Sequence, residues 1–162
     1  MTPQKLRLVA LSVGVLILLG GRPGLAAEPA AVSQGRVEMI LANEYRKDVE
    51  AITQEFERAG LSKVHVQFVR LGQPPPNIGL GRQVSAERAR EALRLAVKYN
   101  RAVTILLPSY LFPPNFITIA SSNFDDTVEF RINEQALQQL QDPSLSTEQF
   151  HALYSRLTTS RK

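Results

Sequence analysis

Apolar positions recur with a helical period near the start of the globular part of the chain. They follow one another at steps of three and four, as on one face of an α-helix. These positions are Val37, Leu41, Tyr45, Val49, Ile52 and Phe56. The pattern predicts a helix from Gly35 to Ala59, with Gly60 at its C-terminal cap. A short strand over 37–41, with a helix beginning near Asn43, is the alternative that the same residues allow.

Four later segments have the patterns of β-strands. Apolar and polar residues alternate over Val64–Val69, which predicts a strand with one buried face. Ala102–Leu107 is apolar on both faces, as in a buried central strand. Phe116–Ala120 and Thr127–Ile132 predict two further strands, and the turn-rich residues between them favour a β-hairpin.

Capping residues mark three further helices. Ser85 is a suitable N-cap for a helix that ends near Asn100. Its predicted buried face consists of Ala89, Leu93, Ala96 and Val97. Asn133 predicts the N-cap of a short helix, and Ser146 with Gln149 forms the capping-box pattern of a last helix.

This order of elements predicts an α/β fold, with an α+β arrangement as the alternative. We expect a single domain over residues 35–160 with a mixed sheet of about four strands. The N-terminal helix precedes one strand–helix–strand unit over 64–107, whose strands should be parallel. The hairpin and two C-terminal helices complete the domain.

The N-terminal region has the pattern of an export signal. Two basic residues precede an uncharged, mostly apolar stretch of 14 residues, Leu8–Gly21. This length suits the core of a signal peptide and is too short to span a bilayer. Small residues then predict cleavage before Ala27, which makes 1–26 a signal peptide and 27–34 a flexible tether. We therefore expect a periplasmic or secreted bacterial protein without a transmembrane anchor after cleavage.

Removing the signal peptide changes the charge balance. The 162-residue chain carries 19 basic and 15 acidic residues, but three of the basic ones precede Ala27, which leaves a net charge of +1. Such a balance gives no broad attraction to nucleic acid or anionic lipid, so we expect no nucleic-acid partner. The chain has no cysteine, and its two histidines lack metal-ligand spacing. The sequence therefore predicts no catalytic residue, cofactor or metal site.

A long connection over 71–84 contains three prolines, followed by Gly79 and Gly81 shortly before the next helix. A strand-to-helix loop usually has two to six residues, and long ordered loops often bind ligands. Its polar and glycine residues, with a residue from the next loop, predict a pocket for an anion or carboxylate at the carboxyl ends of the strands. The pocket residues are Asn77, Gly79, Gly81, Arg82, Ser85 and Tyr110. The alternative is that the glycines only turn the chain and Ser85 only caps the helix.

Aromatic residues are concentrated in the segment that follows the central strand. Tyr110, Phe112 and Phe116 lie around the Pro113–Pro114 pair, which interrupts regular strand pairing. Aromatic side chains dominate protein-binding hot spots, so these three residues predict a docking surface. The alternative is that the rings fold back over the sheet.

A stripe of basic residues has helical spacing: Arg90, Arg94, Lys98 and Arg101. One interpretation is contact with an acidic partner or polyanion. The other is a solvated helix face, partly neutralised by Glu87 and Glu91. No pattern of interleaved aromatic residues suggests base stacking, so the second interpretation is favoured.

These features together favour a binding protein over an enzyme. The leading hypothesis is a small exported envelope protein that binds another envelope protein through loops 72–84 and 108–116. The alternative is a small-molecule binding protein, or a weakly specified enzyme, that uses Arg82 at the same edge. A ligand site predicts a concave pocket with Arg82 inside it, whereas an interface predicts a flat or convex apolar patch with Arg82 on its rim.

Overall fold

The computed structural model describes residues 35–100, 102–122 and 131–159. The predicted signal peptide and tether lie outside the described residues. So do Arg101 and residues 123–130, which include most of the predicted hairpin turn and last strand. Among the described helices, none has the length and apolar character that crossing a membrane requires.

Within these ranges the chain forms a five-stranded mixed sheet and four α-helices, which confirms the α/β class. The strands are β1 (Val37–Leu41), β2 (Val64–Phe68), β3 (Asn77–Leu80), β4 (Ile105–Leu107) and β5 (Ile117–Ile119). The helices are α1 (Val49–Arg58), α2 (Ala86–Asn100), α3 (Glu134–Leu140) and α4 (Thr147–Thr158). The strand order is β2-β1-β5-β3-β4. Strands β1, β2 and β5 are parallel, and β3 and β4 run in the opposite direction.

The predicted N-terminal helix is wrong over residues 37–41, which form β1 instead. Val37, Met39 and Leu41 are buried and the two residues between them are half-buried, so the alternation of a strand prevails. A short 3-10 turn over Asn43–Lys47 then leads into α1. The alternative of a strand followed by a helix therefore describes this region.

The long connection contains a strand that its sequence pattern does not predict. Asn77–Leu80 is fully buried as β3, and it pairs with β4 on one side and β5 on the other. The parallel units are therefore β1-α1-β2 and β3-α2-β4. The predicted unit over 64–107 is wrong, because β2 and β4 lie at opposite edges of the sheet and run in opposite directions.

The predicted hairpin also differs from the structure. Both edges of β5 are occupied, one by β1 and the other by β3. Arg131 instead forms an antiparallel bridge with Ile105 of β4. The described end of the predicted last strand therefore extends the far edge of the sheet rather than pairing with β5.

The helices pack against the sheet and form the core with it. Inward residues of β1, β3 and β5 meet Phe56 of α1, Leu93 of α2 and Tyr154 of α4. On α2 the buried face includes Ala92 and Leu95, whereas the predicted core residue Val97 is 37% exposed. The sheet face opposite this core carries the loop 108–116 and the candidate site.

The predicted capping box at the start of α4 is present. The Ser146 hydroxyl accepts a hydrogen bond from the Gln149 backbone N–H at 3.2 Å, and the Gln149 side chain accepts one from the Ser146 N–H at 2.9 Å. Ser146→Ala should lower the free energy of unfolding by about 1 kcal/mol, because it leaves a helix N–H without its acceptor. Urea unfolding would measure this. Ser155→Ala, at an exposed position within α4, is the control and should change stability by less than about 0.5 kcal/mol. Equal effects of the two substitutions would contradict the role of the cap.

Candidate functional site

The Asn77 side chain is engaged inside the protein. Asn77 is fully buried at the start of β3. Its amide nitrogen donates to the Ser121 carbonyl at 3.0 Å, and its amide oxygen accepts from the Ser121 N–H at 2.8 Å. This pair of bonds imitates backbone pairing between two strands. Asn77 therefore holds the chain after β5, and both polar atoms of its side chain are engaged within the protein.

The two glycines of the predicted pocket make room for the neighbouring loop. A Cβ atom at Gly79 would lie 2.3 Å from the Phe112 ring, and one at Gly81 would lie 2.1 Å from the Pro113 carbonyl oxygen. The Gly81 N–H also donates to the Phe116 carbonyl at 2.8 Å. The space that their missing side chains leave is thus filled by residues 112–116.

The remaining pocket residues lie apart from Asn77. Asn77 begins β3 and Arg82 follows its end, so they lie at opposite ends of that strand. Ser85 accepts from the Arg88 N–H at 3.4 Å, as an N-cap does. Arg82 and Tyr110 follow the parallel strands β3 and β4, so they share one sheet edge. Arg82 is exposed, and no described residue forms a hydrogen bond or ion pair with its side chain. The structure thus places Arg82 and Tyr110 at one edge of the sheet, whereas Asn77 lies at the other end of β3.

The aromatic segment divides into an outward and an inward part. Tyr110 is 74% exposed and Leu111 is 46% exposed, both on a short 3-10 turn. Phe112 and Phe116 stack on each other with centroids 6.0 Å apart, and Phe112 covers Gly79. Phe112 and Phe116 therefore fold back towards the sheet, as the alternative interpretation expects, whereas Tyr110 stays exposed, as a docking surface requires. Leu111 is absent from the predicted surface, although its position beside Tyr110 in a turn after a proline is a usable signal.

A cleft of about 410 Å³ lies between this segment and the sheet. Its apolar lining consists of Leu107, Leu111, Phe112 and Phe116, and its polar lining consists of Glu38, Thr118 and Ser121. Glu38 is absent from the predicted site because the helical period of its segment hides the strand. The alternation of residues 37–41 is the signal that places Glu38 on the open face of a sheet.

The basic residues of the stripe on α2 form hydrogen bonds and ion pairs within the protein. Arg90 donates to the Asp142 carbonyl at 3.2 Å, which anchors the connection between α3 and α4. Lys98 contacts the Glu55 carboxylate of α1 at 2.7 Å, and Arg94 pairs with Glu91 at 2.9 Å. Hydrogen bonds from Lys98, and then from the Tyr99 hydroxyl, lower the pKa of Glu55. The described part of the stripe is therefore largely neutralised by its own domain.

The described residues hold no cluster of three or more side chains that could bind a metal ion. His65 is exposed on β2. The Nε2 atom of His151 lies 2.7 Å from the Val84 carbonyl oxygen and donates to it, which connects α4 to the segment before α2. Neither histidine lines the cleft.

Comparison with known proteins finds no matching family model, no matching curated protein and no matching solved structure.

Proposed function

We propose that the chain is a small exported bacterial envelope protein that binds another envelope protein through the loops at the carboxyl ends of β3 and β4. The loop 108–116 supplies the contact surface, and the end of the 72–84 segment supplies its rim. The observation that carries the proposal is the exposure of Tyr110 and Leu111, 74% and 46%, side by side on one turn. The export part rests on the pattern of residues 1–26.

The loop is held in place from beneath, which favours a binding role. The Gln83 N–H donates to the Pro114 carbonyl at 2.7 Å, in addition to the bond from Gly81 to Phe116. The two adjacent prolines further restrict the backbone. A surface that is already ordered loses less conformational entropy on binding, so more of the contact energy contributes to affinity.

Arg82 lies at the same edge of the sheet, where its charge can orient a bound partner. Since no described residue pairs with it, its charge is available to an acidic group on the partner. An exposed rim charge mainly increases the association rate and the specificity. The alternative function, a pocket or enzyme that grips an anion with Arg82, has less support, because Asn77 is bonded internally and residues 112–116 fill the space beside both glycines.

Photo-crosslinking in the native host tests this proposal. A photoreactive phenylalanine analogue at position 110 should give a discrete protein adduct, whereas the same analogue at Glu50, exposed on α1, should not. Adding Leu111→Asp to the position-110 variant should lower the adduct yield by about tenfold, because it removes a neighbouring apolar contact. Equal adducts at both positions, or no adduct at position 110, would contradict docking through the loop.

A further inference from the structure

The loop 108–116 covers only part of the sheet face that lies opposite the core. Strand register places Glu38, Thr118, Gly79 and Leu107 in one row across four neighbouring strands. Residues paired in this way project from the same face. Phe112 fills the space above Gly79, so the loop covers the β3 side of this row and leaves Glu38 on the β1 side open. The cleft runs along this boundary.

The two sides of the cleft differ in chemistry. One side is the Phe112–Phe116 stack, and the other carries the Glu38 carboxylate, whose side chain is 38% exposed. Glu38 is the one ionisable residue among the described residues that line the cleft. Its Oε1 atom pairs with Arg36 at 2.7 Å, which is one ion pair on a carboxylate with about four acceptor sites. The cleft therefore joins an aromatic wall to a carboxylate with an acceptor to spare.

A side chain with an apolar stem and a cationic end matches this arrangement. The stem of arginine or lysine packs on apolar surface while its charge remains at the polar end. Guanidinium and ammonium groups are also attracted to aromatic faces. An anionic group would instead meet the Glu38 charge. Charge complementarity thus favours a basic occupant.

We propose that this cleft is a recognition pocket for an arginine or lysine side chain in a segment of the partner protein. The inference rests on the proposed docking function and names the chemistry of its partner. Leu111 belongs both to the exposed turn that it shares with Tyr110 and to the cleft lining. One bound segment can therefore contact the turn and the cleft together. An apolar residue of that segment would lie against Tyr110 and Leu111, and its basic neighbour would reach Glu38.

Two dipeptide probes of opposite charge test the pocket in NMR titrations of the purified protein. N-acetyl-Phe-Arg-amide should bind about fivefold more tightly than N-acetyl-Phe-Glu-amide, the scale of one partly exposed ion pair. Glu38→Gln should abolish that preference. Arg36→Gln should strengthen binding of the arginine peptide by about twofold, because it removes a competing cation from Glu38. A gain of binding cannot result from a misfolded variant.

Three results would overturn the pocket: equal binding of the two peptides, binding of neither, or a preference that survives Glu38→Gln. The crosslinking experiment separates this failure from failure of the docking function. An adduct at position 110 without any peptide preference overturns the pocket and leaves docking in place. If the preference for the arginine peptide depends on Glu38 but position 110 gives no adduct, the pocket is supported and docking through Tyr110 and Leu111 is overturned.

Discussion

Gly81→Ala is expected to lower the free energy of unfolding by about 2–3 kcal/mol. The new Cβ atom would lie 2.1 Å from the Pro113 carbonyl oxygen and 2.4 Å from the Pro114 carbonyl oxygen. Both are backbone atoms, so no side-chain rotation can relieve the overlap. The loop must move away, which weakens the hydrogen bonds that Gly81 and Gln83 donate to it.

Urea unfolding of the variant beside the parent protein would measure this change, and Gly72→Ala provides the control. Gly72 has a φ of +81°, and a Cβ atom there would have no neighbour within 4 Å, so alanine has space but an unfavourable backbone angle. That substitution should cost only about 1 kcal/mol. If Gly81→Ala costs no more than Gly72→Ala, close packing of the loop on Gly81 is not an important constraint.

The parts of the fold that depend on local chemistry could be predicted from the sequence. The caps at Asn133 and Ser146 are present as expected, because each uses a side chain and a backbone N–H three residues apart. β2 is predicted because its alternation is complete within one short segment. These features need no knowledge of distant parts of the chain.

Features that depend on distant pairing have little local signal. Val37 and Leu41 fit both a strand and a helix, and only pairing with β2 and β5 decides between the two periods. β3 has the sequence Asn-Ile-Gly-Leu, with two residues that are uncommon in strands. Its strand conformation is determined by β4 and β5 on either side.

The candidate site divides in the same way. Tyr110 is predicted because an aromatic residue in a proline-containing loop is visible in the sequence. The cleft is not, because Glu38 and Phe112 lie far apart along the chain and strand register brings them to one face. The pattern around Gly79 predicts a ligand cradle, whereas the structure fills its free space with Phe112. A glycine indicates that another group packs closely against the backbone, but only the fold determines whether that group is a ligand or a side chain of the same protein.

Tyr154→Ala is expected to lower the free energy of unfolding by about 4 kcal/mol, the largest effect we predict. Tyr154 is fully buried, with its ring stacked on Phe150. Its hydroxyl donates towards the carbonyls of Leu107, at 2.8 Å, and Ile78, at 3.2 Å, so it connects α4 to β4 and β3. Alanine removes the ring packing and this connection together.

Tyr154→Phe separates the two contributions, since it keeps the ring and removes only the hydroxyl. It should cost about 1–2 kcal/mol at neutral pH, the scale of a buried hydrogen bond. Urea unfolding of both variants beside the parent protein would measure the difference. If phenylalanine costs as much as alanine, the hydroxyl rather than the ring carries the stabilisation; if it costs nothing, the hydrogen bonds contribute nothing.

Alkaline pH should reduce the difference in the free energy of unfolding between the parent protein and Tyr154→Phe. Burial raises the pKa of Tyr154 well above its usual range. In the unfolded chain a tyrosine ionises near pH 10, so above that pH the unfolded state releases a proton that the folded state keeps. The stability that Tyr154 contributes is therefore complete below about pH 10 and falls above it, by up to about 1.4 kcal/mol per pH unit. Phenylalanine has no such loss. Burial also raises the pKa of Tyr99, but Tyr99 is present in both proteins and its effect cancels. Urea unfolding from pH 8 to 11 should show converging stabilities, and parallel curves would contradict a buried, protonated Tyr154.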